Sequence, residues 1–144
     1  MADVWTDISS EFLHLYPSGR RLLAVAGADA ERSRRSADEL AAALRAAGLE
    51  AERRHSADGD EQVLRTEVIA PFRANSASDG VLVVSGPSTL LSETARGMWH
   101  YVVWQLAGDE APHTVAAAIV DVTDPANPKR RFADYCALPA SFGA

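Results

Sequence analysis

The sequence of 144 residues has a single cysteine, Cys136, and no long apolar run. One cysteine excludes an internal disulfide and any zinc site built on several thiolates. No apolar stretch approaches the ~18 residues that a membrane-spanning helix needs, and residues 1–16 lack the basic and apolar regions of a signal peptide. We therefore expect a cytoplasmic protein that has no membrane partner.

Basic residues are also in short supply. The chain has 14 lysines and arginines against 20 aspartates and glutamates, which gives a formal net charge of −6. Nucleic-acid-binding proteins normally present a basic face, so this balance argues against nucleic acid and favours a small-molecule partner. The basic run at 129–131 is too short to change that conclusion and is interpreted as a solvated segment. We expect one domain, residues 1–144, because a chain of this length can bury ~68–70% of its unfolded surface in a single core.

Apolar runs alternate with amphipathic segments along the chain. Helices are predicted after Asp3, from a capping box at 36–39 to Gly48, and from 60 until just before Pro71, with a short helix over 89–97. Residues 74–80 are predicted to form a loop. Predicted strands are 22–26, 49–55, 81–84, 101–106 and 115–122. Because strands alternate with helices, we expect an α/β fold with an open, mostly parallel five-stranded sheet and helices on both faces.

The order and spacing of these segments resemble the uridine kinase-like branch of the P-loop kinases. The resemblance is carried by the strings YPSGRRLLAVAG, SADELAAALRAAG, VLRTEVIAPFR, VLVVSGPSTLL, MWHYVVWQL and AIVDVTDPANP. It implies parallel strands flanked by helices. It also implies that the strand, turn and helix of residues 21–48 stand where the family binds phosphate at a helix N-terminus.

The phosphate-binding loop departs from the family pattern. A Walker A loop has the form G-x-x-x-x-G-K-[ST], in which the lysine reaches the phosphates and the hydroxyl holds Mg²⁺. The corresponding stretch starts at Gly27, with Ala30 and Arg32 at the places of glycines, Ser33 at that of the lysine and Arg34 at that of the hydroxyl. A phosphoryl-transfer transition state would lose two electrostatic supports. We therefore expect a degenerate Walker A loop and no ATP-dependent phosphorylation.

Other elements of the resembling kinases are shortened or replaced. The chain passes from Leu106 to Val115 in eight residues, where those kinases carry a long helical insertion with a lid and its arginines. Ser85 replaces an acidic residue after the third strand, and His100 replaces an aspartate. Without a lid, a kinase cannot exclude water or clamp the donor phosphates. The same loss would leave apolar surface exposed, which homodimerisation would cover.

A pocket is expected at the carboxyl ends of the strands, where open α/β sheets bind their ligands. Asp58 falls at the place of a residue that resembles the catalytic base, although it also suits a plain turn. Histidine titrates near neutral pH, so His55 and His100 are further acid–base candidates, and His100 is expected beside the pocket. The segment 123–128 resembles the loop near the adenine base. Candidate ligand-binding residues are Gly27, Ser33, Arg34, Ser85 and Asp124.

Two functions remain open on the sequence. The first is a kinase-derived protein that no longer phosphorylates and binds a nucleotide, a nucleoside or another small metabolite, phosphorylated or not. The second is an enzyme that uses the vestigial pocket for acid–base elimination, isomerisation or cyclisation, with Asp58 and His100 as acid and base. No two histidines have a familiar metal-ligand spacing, so neither a metal nor a cofactor is expected.

Overall fold

The computed structural model describes residues 3–74, 80–113 and 115–131. Cys136 and most of the predicted 74–80 loop lie outside these residues. The strands are β1 (Arg20–Gly27), β2 (Ala51–His55), β3 (Gly80–Gly86), β4 (Tyr101–Leu106), β5 (Ala118–Asp121) and β6 (Lys129–Arg131). The helices are α1 (Val4–Leu15), α2 (Ala30–Ala46), α3 (Glu61–Val63) and α4 (Ala70–Ala74), with a π-helix at Leu64–Ile69 and 3₁₀ turns at Ser88–Leu91 and Arg96–Met98.

The six strands form one sheet in the order β2-β3-β1-β4-β5-β6. Strands β1 to β5 pair in parallel, which confirms the predicted α/β fold with a mostly parallel open sheet. The predicted count of five strands was one too low, because β6 adds an antiparallel strand to β5. Residues 129–131, interpreted as a solvated segment, form this strand after the 123–128 turn reverses the chain. Their charged side chains carry no apolar alternation that would signal a strand.

Strand β1 lies in the middle of the sheet and is covered on both faces. Its alternate residues Leu23 and Val25 pack with α1 and α2, whereas Leu22, Ala24 and Ala26 pack with the π-helix, α4 and the 3₁₀ turns. All five of these side chains are fully buried. A central parallel strand therefore requires the uninterrupted apolar run from which it was predicted.

Helix α2 begins earlier than its capping box indicated. Its N-cap is Asp29, whose carboxylate accepts a hydrogen bond from the Arg32 N–H at 3.0 Å, so the helix starts at Ala30 rather than near Ser36. Ser36 is buried inside the helix. The capping box is a local pattern, and Asp29 provides an equally good cap seven residues before Ser36, at the end of the β1 turn.

The third predicted helix continues past Pro71. A proline ring clashes with the carbonyl four residues before it in an α-helix. Here the preceding turns are π-helical, with the Ala70 N–H donating to the Arg65 carbonyl, and the chain proceeds into α4. The predicted helix over 89–97 consists of two 3₁₀ turns. Within the described ranges, no helix has both the length and the apolar character needed to cross a membrane.

Candidate functional site

The turn between β1 and α2 is short. Only Ala28 and Asp29 separate the last residue of β1 from the first residue of α2. The residues from Ala30 to Arg34, which were matched to the phosphate-binding loop, are already helical. The Arg32 N–H donates to the Asp29 carboxylate at 3.0 Å, and the Ser33 N–H donates to the Asp29 carbonyl at 3.0 Å. Both of these backbone donors therefore have protein partners.

A buried glutamine, Gln105 of β4, packs over Gly27. A Cβ atom at Gly27 would lie 1.7 Å from the Gln105 Nε2. This Nε2 donates to the Asp29 carbonyl at 3.3 Å and to the Ser33 Oγ at 3.2 Å. Gly27 and Ser33, two of the predicted ligand-binding residues, therefore lie close together in the structure. The side chain of Gln105, rather than a ligand, contacts both of them. Gln105 was not predicted from the sequence, in which its signal is a single polar residue inside the apolar strand YVVWQL.

Arg32 links this cluster to the segment after β4. Its Nε donates to the Gln105 Oε1 at 3.2 Å, and its Nη2 donates to the Glu110 carboxylate. The other Glu110 oxygen accepts from the Ala107 N–H at 3.0 Å. Arg34, in contrast, is exposed and pairs with Glu31 at 3.2 Å, so it does not join the cluster.

His55 and Ser85 lie side by side at the ends of β2 and β3. The His55 Nδ1 is 2.7 Å from the Ser85 Oγ, and the Arg53 Nη2 donates to the same oxygen at 3.3 Å. Burial, followed by the charges of Arg34 and Arg53, lowers the pKa of His55 and favours the neutral ring. Ser85 has no accessible surface. Its hydroxyl is therefore closed to a ligand in this arrangement.

The two predicted aspartates both shape turns. The Asp58 carboxylate accepts from the Asp60 N–H at 3.0 Å, and the Asp58 carbonyl accepts from the Thr89 hydroxyl at 2.6 Å. The Asp124 carboxylate accepts from the Ala126 N–H at 3.1 Å. Both side chains are exposed. These contacts match the plain-turn interpretation, in which the carboxylate caps its own backbone.

His100 lies at the amino ends of the parallel strands, whereas the pocket was expected at their carboxyl ends. It precedes β4, and its Nδ1 accepts from the Leu22 N–H at 3.0 Å near the start of β1. Gly27 pairs with Gln105 five residues further along β4, which corresponds to about 16 Å at roughly 3.3 Å per residue. The predicted position of His100 was wrong, because a residue that opens a parallel strand lies at the amino edge. Asp58, which follows the carboxyl end of β2, cannot share a ligand atom with it.

A cavity of about 370 Å³ opens at the carboxyl ends of β4 and β5, between the N-terminal halves of α1 and α2 and the 123–128 turn. The location agrees with the expected edge of the sheet, but the walls do not, because none of the eight predicted site residues lines it. Asp124 comes nearest, since its neighbours Thr123 and Pro125 are wall residues. The apolar wall includes Trp5, Val122, Pro125 and Pro128, and the polar wall includes Arg32, Arg35, Ser36 and Glu39.

These walls come from four segments that are distant in sequence, so no local motif marked them. Burial lowers the pKa values of His100 and His113, neither of which lines the cavity. In the part of the chain that the structure describes, no group of three or more histidine, cysteine, aspartate or glutamate residues is placed to hold a metal ion.

Comparison with known proteins adds a similarity of fold. No protein-family model matches the chain, and no curated protein matches its sequence. Among solved structures, the chain is similar to a possible uridine kinase from Bacillus stearothermophilus, with a TM-score of 0.57 and 14% sequence identity. The similarity covers 75% of this chain and 80% of that chain. At this identity the comparison shows the fold alone: the chain shares with that structure an α/β fold in which helices flank an open, mostly parallel sheet.

Proposed function

We propose that this protein binds a small molecule on a P-loop kinase-like fold and does not transfer phosphate. The observation that carries the proposal is that the loop after β1 contains no lysine. The sequence contains one lysine, Lys129, and it lies in β6. Strand β6 is three strands away from β1, which corresponds to about 14 Å at roughly 4.8 Å per strand. No other lysine exists to reach the phosphates from the loop after β1, as the Walker A lysine does.

The turn after β1 supports the same proposal. A phosphate-binding loop needs several free backbone N–H groups arranged around the anion. Here the turn has two residues, the Arg32 N–H is capped by Asp29, and Gln105 fills the space above Gly27. We interpret this turn as a degenerate Walker A loop that has become part of the protein core.

The cavity beside the 123–128 turn is the proposed ligand site. Its volume of about 370 Å³ falls within the range of ~300–1,000 Å³ that is typical of small-molecule sites. Trp5 and the wall prolines offer an apolar surface to a ring, while Arg35, Ser36 and Glu39 offer hydrogen-bonding partners. A nucleoside or a metabolite of similar size suits this combination. The acid–base alternative has no comparable support, since Asp58 lies at the carboxyl ends of the parallel strands and His100 lies at their amino ends.

A thermal-shift screen with Mg²⁺-ATP, ADP, uridine and a metabolite panel tests the proposal. A ligand at 100 times its Kd should stabilise the protein by ~2.7 kcal/mol. The substitution Ala126→Phe narrows the cavity and should abolish that shift. The matched substitution Ala57→Phe, in the exposed turn beside Asp58, should leave the shift intact.

Two results would contradict the proposal. Loss of the thermal shift in A57F but not in A126F would place the ligand at the turn after β2 rather than in the cavity. ATP-dependent phosphorylation of uridine or cytidine by the wild-type protein would show that phosphoryl transfer is retained.

Homodimerisation stays a prediction of the sequence. The large apolar side chains that are exposed in the described residues, Leu15, Val63 and Val115, lie on three separate segments. Light scattering tests the prediction, and a strictly monomeric protein at high concentration would contradict it.

A further inference from the structure

Arg32 lines the cavity, and its guanidinium already has a carboxylate partner. Its Nη2 donates to Glu110, and its Nε donates to the Gln105 Oε1 at 3.2 Å. The guanidinium group is the side chain best suited to bind phosphate, because its planar set of donors matches the phosphate oxygens. Glu110 therefore takes the position that an anionic group of a ligand would occupy on Arg32.

The Glu110 carboxylate is fixed at both of its oxygens. One oxygen accepts from Arg32, and the other accepts from the Ala107 N–H at 3.0 Å. The two side chains of the ion pair are partly buried, with 29% of Arg32 and 30% of Glu110 exposed. A ligand phosphate would have to displace a carboxylate that the backbone already holds in place.

The remaining charges of the cavity wall also disfavour phosphate. Once Glu110 neutralises Arg32, a single arginine, Arg35, faces the two wall carboxylates Asp3 and Glu39. The nearby start of α2 offers little compensation, because Asp29 caps the Arg32 N–H. The local charge is therefore negative, and it repels an anion that approaches the wall.

We propose that Glu110 is the specificity-determining residue of this cavity. It makes the cavity accept an uncharged or zwitterionic ligand and reject the phosphorylated form of the same molecule. The inference rests on the proposed function only for the position of the ligand site.

Pyrophosphate is a suitable probe, since it tests the anion preference without knowledge of the natural ligand. Isothermal titration of the wild-type protein should show only weak pyrophosphate binding, with a Kd in the millimolar range. Glu110→Gln and Glu110→Ala should each bind pyrophosphate about tenfold more tightly, because both remove the competing carboxylate and its repulsion. Glu31→Gln is the matched control. It changes the net charge equally and removes the partner of Arg34, which lies outside the cavity wall.

The gain should depend on Arg32, so the double variant Arg32→Gln/Glu110→Gln should lose it. Three results would overturn the inference: equal binding by wild type and both Glu110 variants, an equal gain in E31Q, or a gain that persists without Arg32. The outcome is separable from that of the ligand screen. A gain in E110Q with no ligand found in the panel would count against the proposed function alone, whereas a panel ligand with no gain in E110Q would count against Glu110 alone.

Discussion

The side chain of Gln105 packs against the α-carbon of Gly27, so closely that a Cβ atom at position 27 would lie 1.7 Å from the Gln105 Nε2. The two residues are paired across β1 and β4. In a phosphate-binding loop, the first glycine lets the backbone wrap around an anion. Here the glycine provides room for a buried amide that joins β4 to the start of α2.

Gly27→Ala should therefore destabilise the protein by about 1–3 kcal/mol, as expected for overpacking in a well-filled core. Urea denaturation measures the change. Gly97→Ala is the control, because a Cβ atom there meets no heavy atom within 4 Å. In a Gln105→Ala background the cost of Gly27→Ala should shrink. An equal cost in both backgrounds would show that the clash with Gln105 is not the cause.

The second prediction concerns Glu11, which ties α1 to two strands. Its carboxylate accepts from the Arg130 Nη1 and Nη2 at 2.8 and 3.0 Å and from the Tyr101 hydroxyl at 2.6 Å. These bonds, with that to Arg130 foremost, lower the pKa of Glu11 despite burial, and burial raises the pKa of Tyr101. Glu11→Gln should cost about 1–3 kcal/mol in urea denaturation, because it weakens charge-assisted bonds. Glu93→Gln, on the exposed segment between the 3₁₀ turns, should be neutral, and a similar loss there would refute the role of Glu11.

The lowered pKa values of three histidines predict how the stability of the protein depends on pH. Burial is the main cause that lowers the pKa values of His55, His100 and His113. The unfolded chain then binds more protons than the native protein as the pH falls through the ordinary value of about 6.5. We expect the Tm to be highest above this pH and to fall between about pH 7 and 5.

The variant His100→Asn tests that pH dependence directly. Its side-chain oxygen can still accept from the Leu22 N–H, but it does not titrate, so the slope of Tm against pH should become shallower. His14→Asn, at an exposed position of α1, is the comparison. A Tm that rises on acidification over this range would contradict the assignment of the neutral rings.

The fourth prediction distinguishes the two possible starts of α2. If Asp29 is the N-cap, Asp29→Ala should cost about 1 kcal/mol, with Asp29→Asn close to wild type. Ser36→Ala should have little effect, because Ser36 lies inside the helix and alanine is a good helix former. Circular dichroism during urea denaturation measures both. The reverse order of costs would restore the start that the capping box indicates.

Local patterns predicted the sheet well because burial on both faces leaves a direct signal. The runs at 22–26, 81–84 and 101–106 all fall inside strands, and their alternation with helices predicts a parallel sheet. Strand β6 gave no such signal, because Arg130 is held by an ion pair to Glu11 rather than by apolar packing. The amphipathic pattern of α2 was clear in the sequence, but its first residue is determined by the N-cap Asp29 in the turn after β1.

The candidate site was harder to predict from the sequence. A resemblance transfers residues by position in a motif, and the positions matched to that motif here lie inside helix α2. His100 shows a second difficulty. A residue that precedes a parallel strand lies at the amino ends of the sheet strands, and a residue that follows one lies at the carboxyl ends, where the ligand was expected. The cavity walls come from the start of α1, from α2, from Ala107 after β4 and from the turn after β5. Such a combination depends on tertiary packing, which a single sequence does not display.

The short strand β6 has a consequence for the solubility of the protein. Among the described residues, the sheet ends in β2 on one side and β6 on the other. Their sequences are AERRH and KRR, so both borders carry arginines, whereas the apolar strands lie between them. Charged side chains on an edge strand discourage the addition of a strand from another molecule. The exposed backbone of this sheet is thereby protected from growth into fibrils, and any assembly of two copies is expected to use a helical face instead.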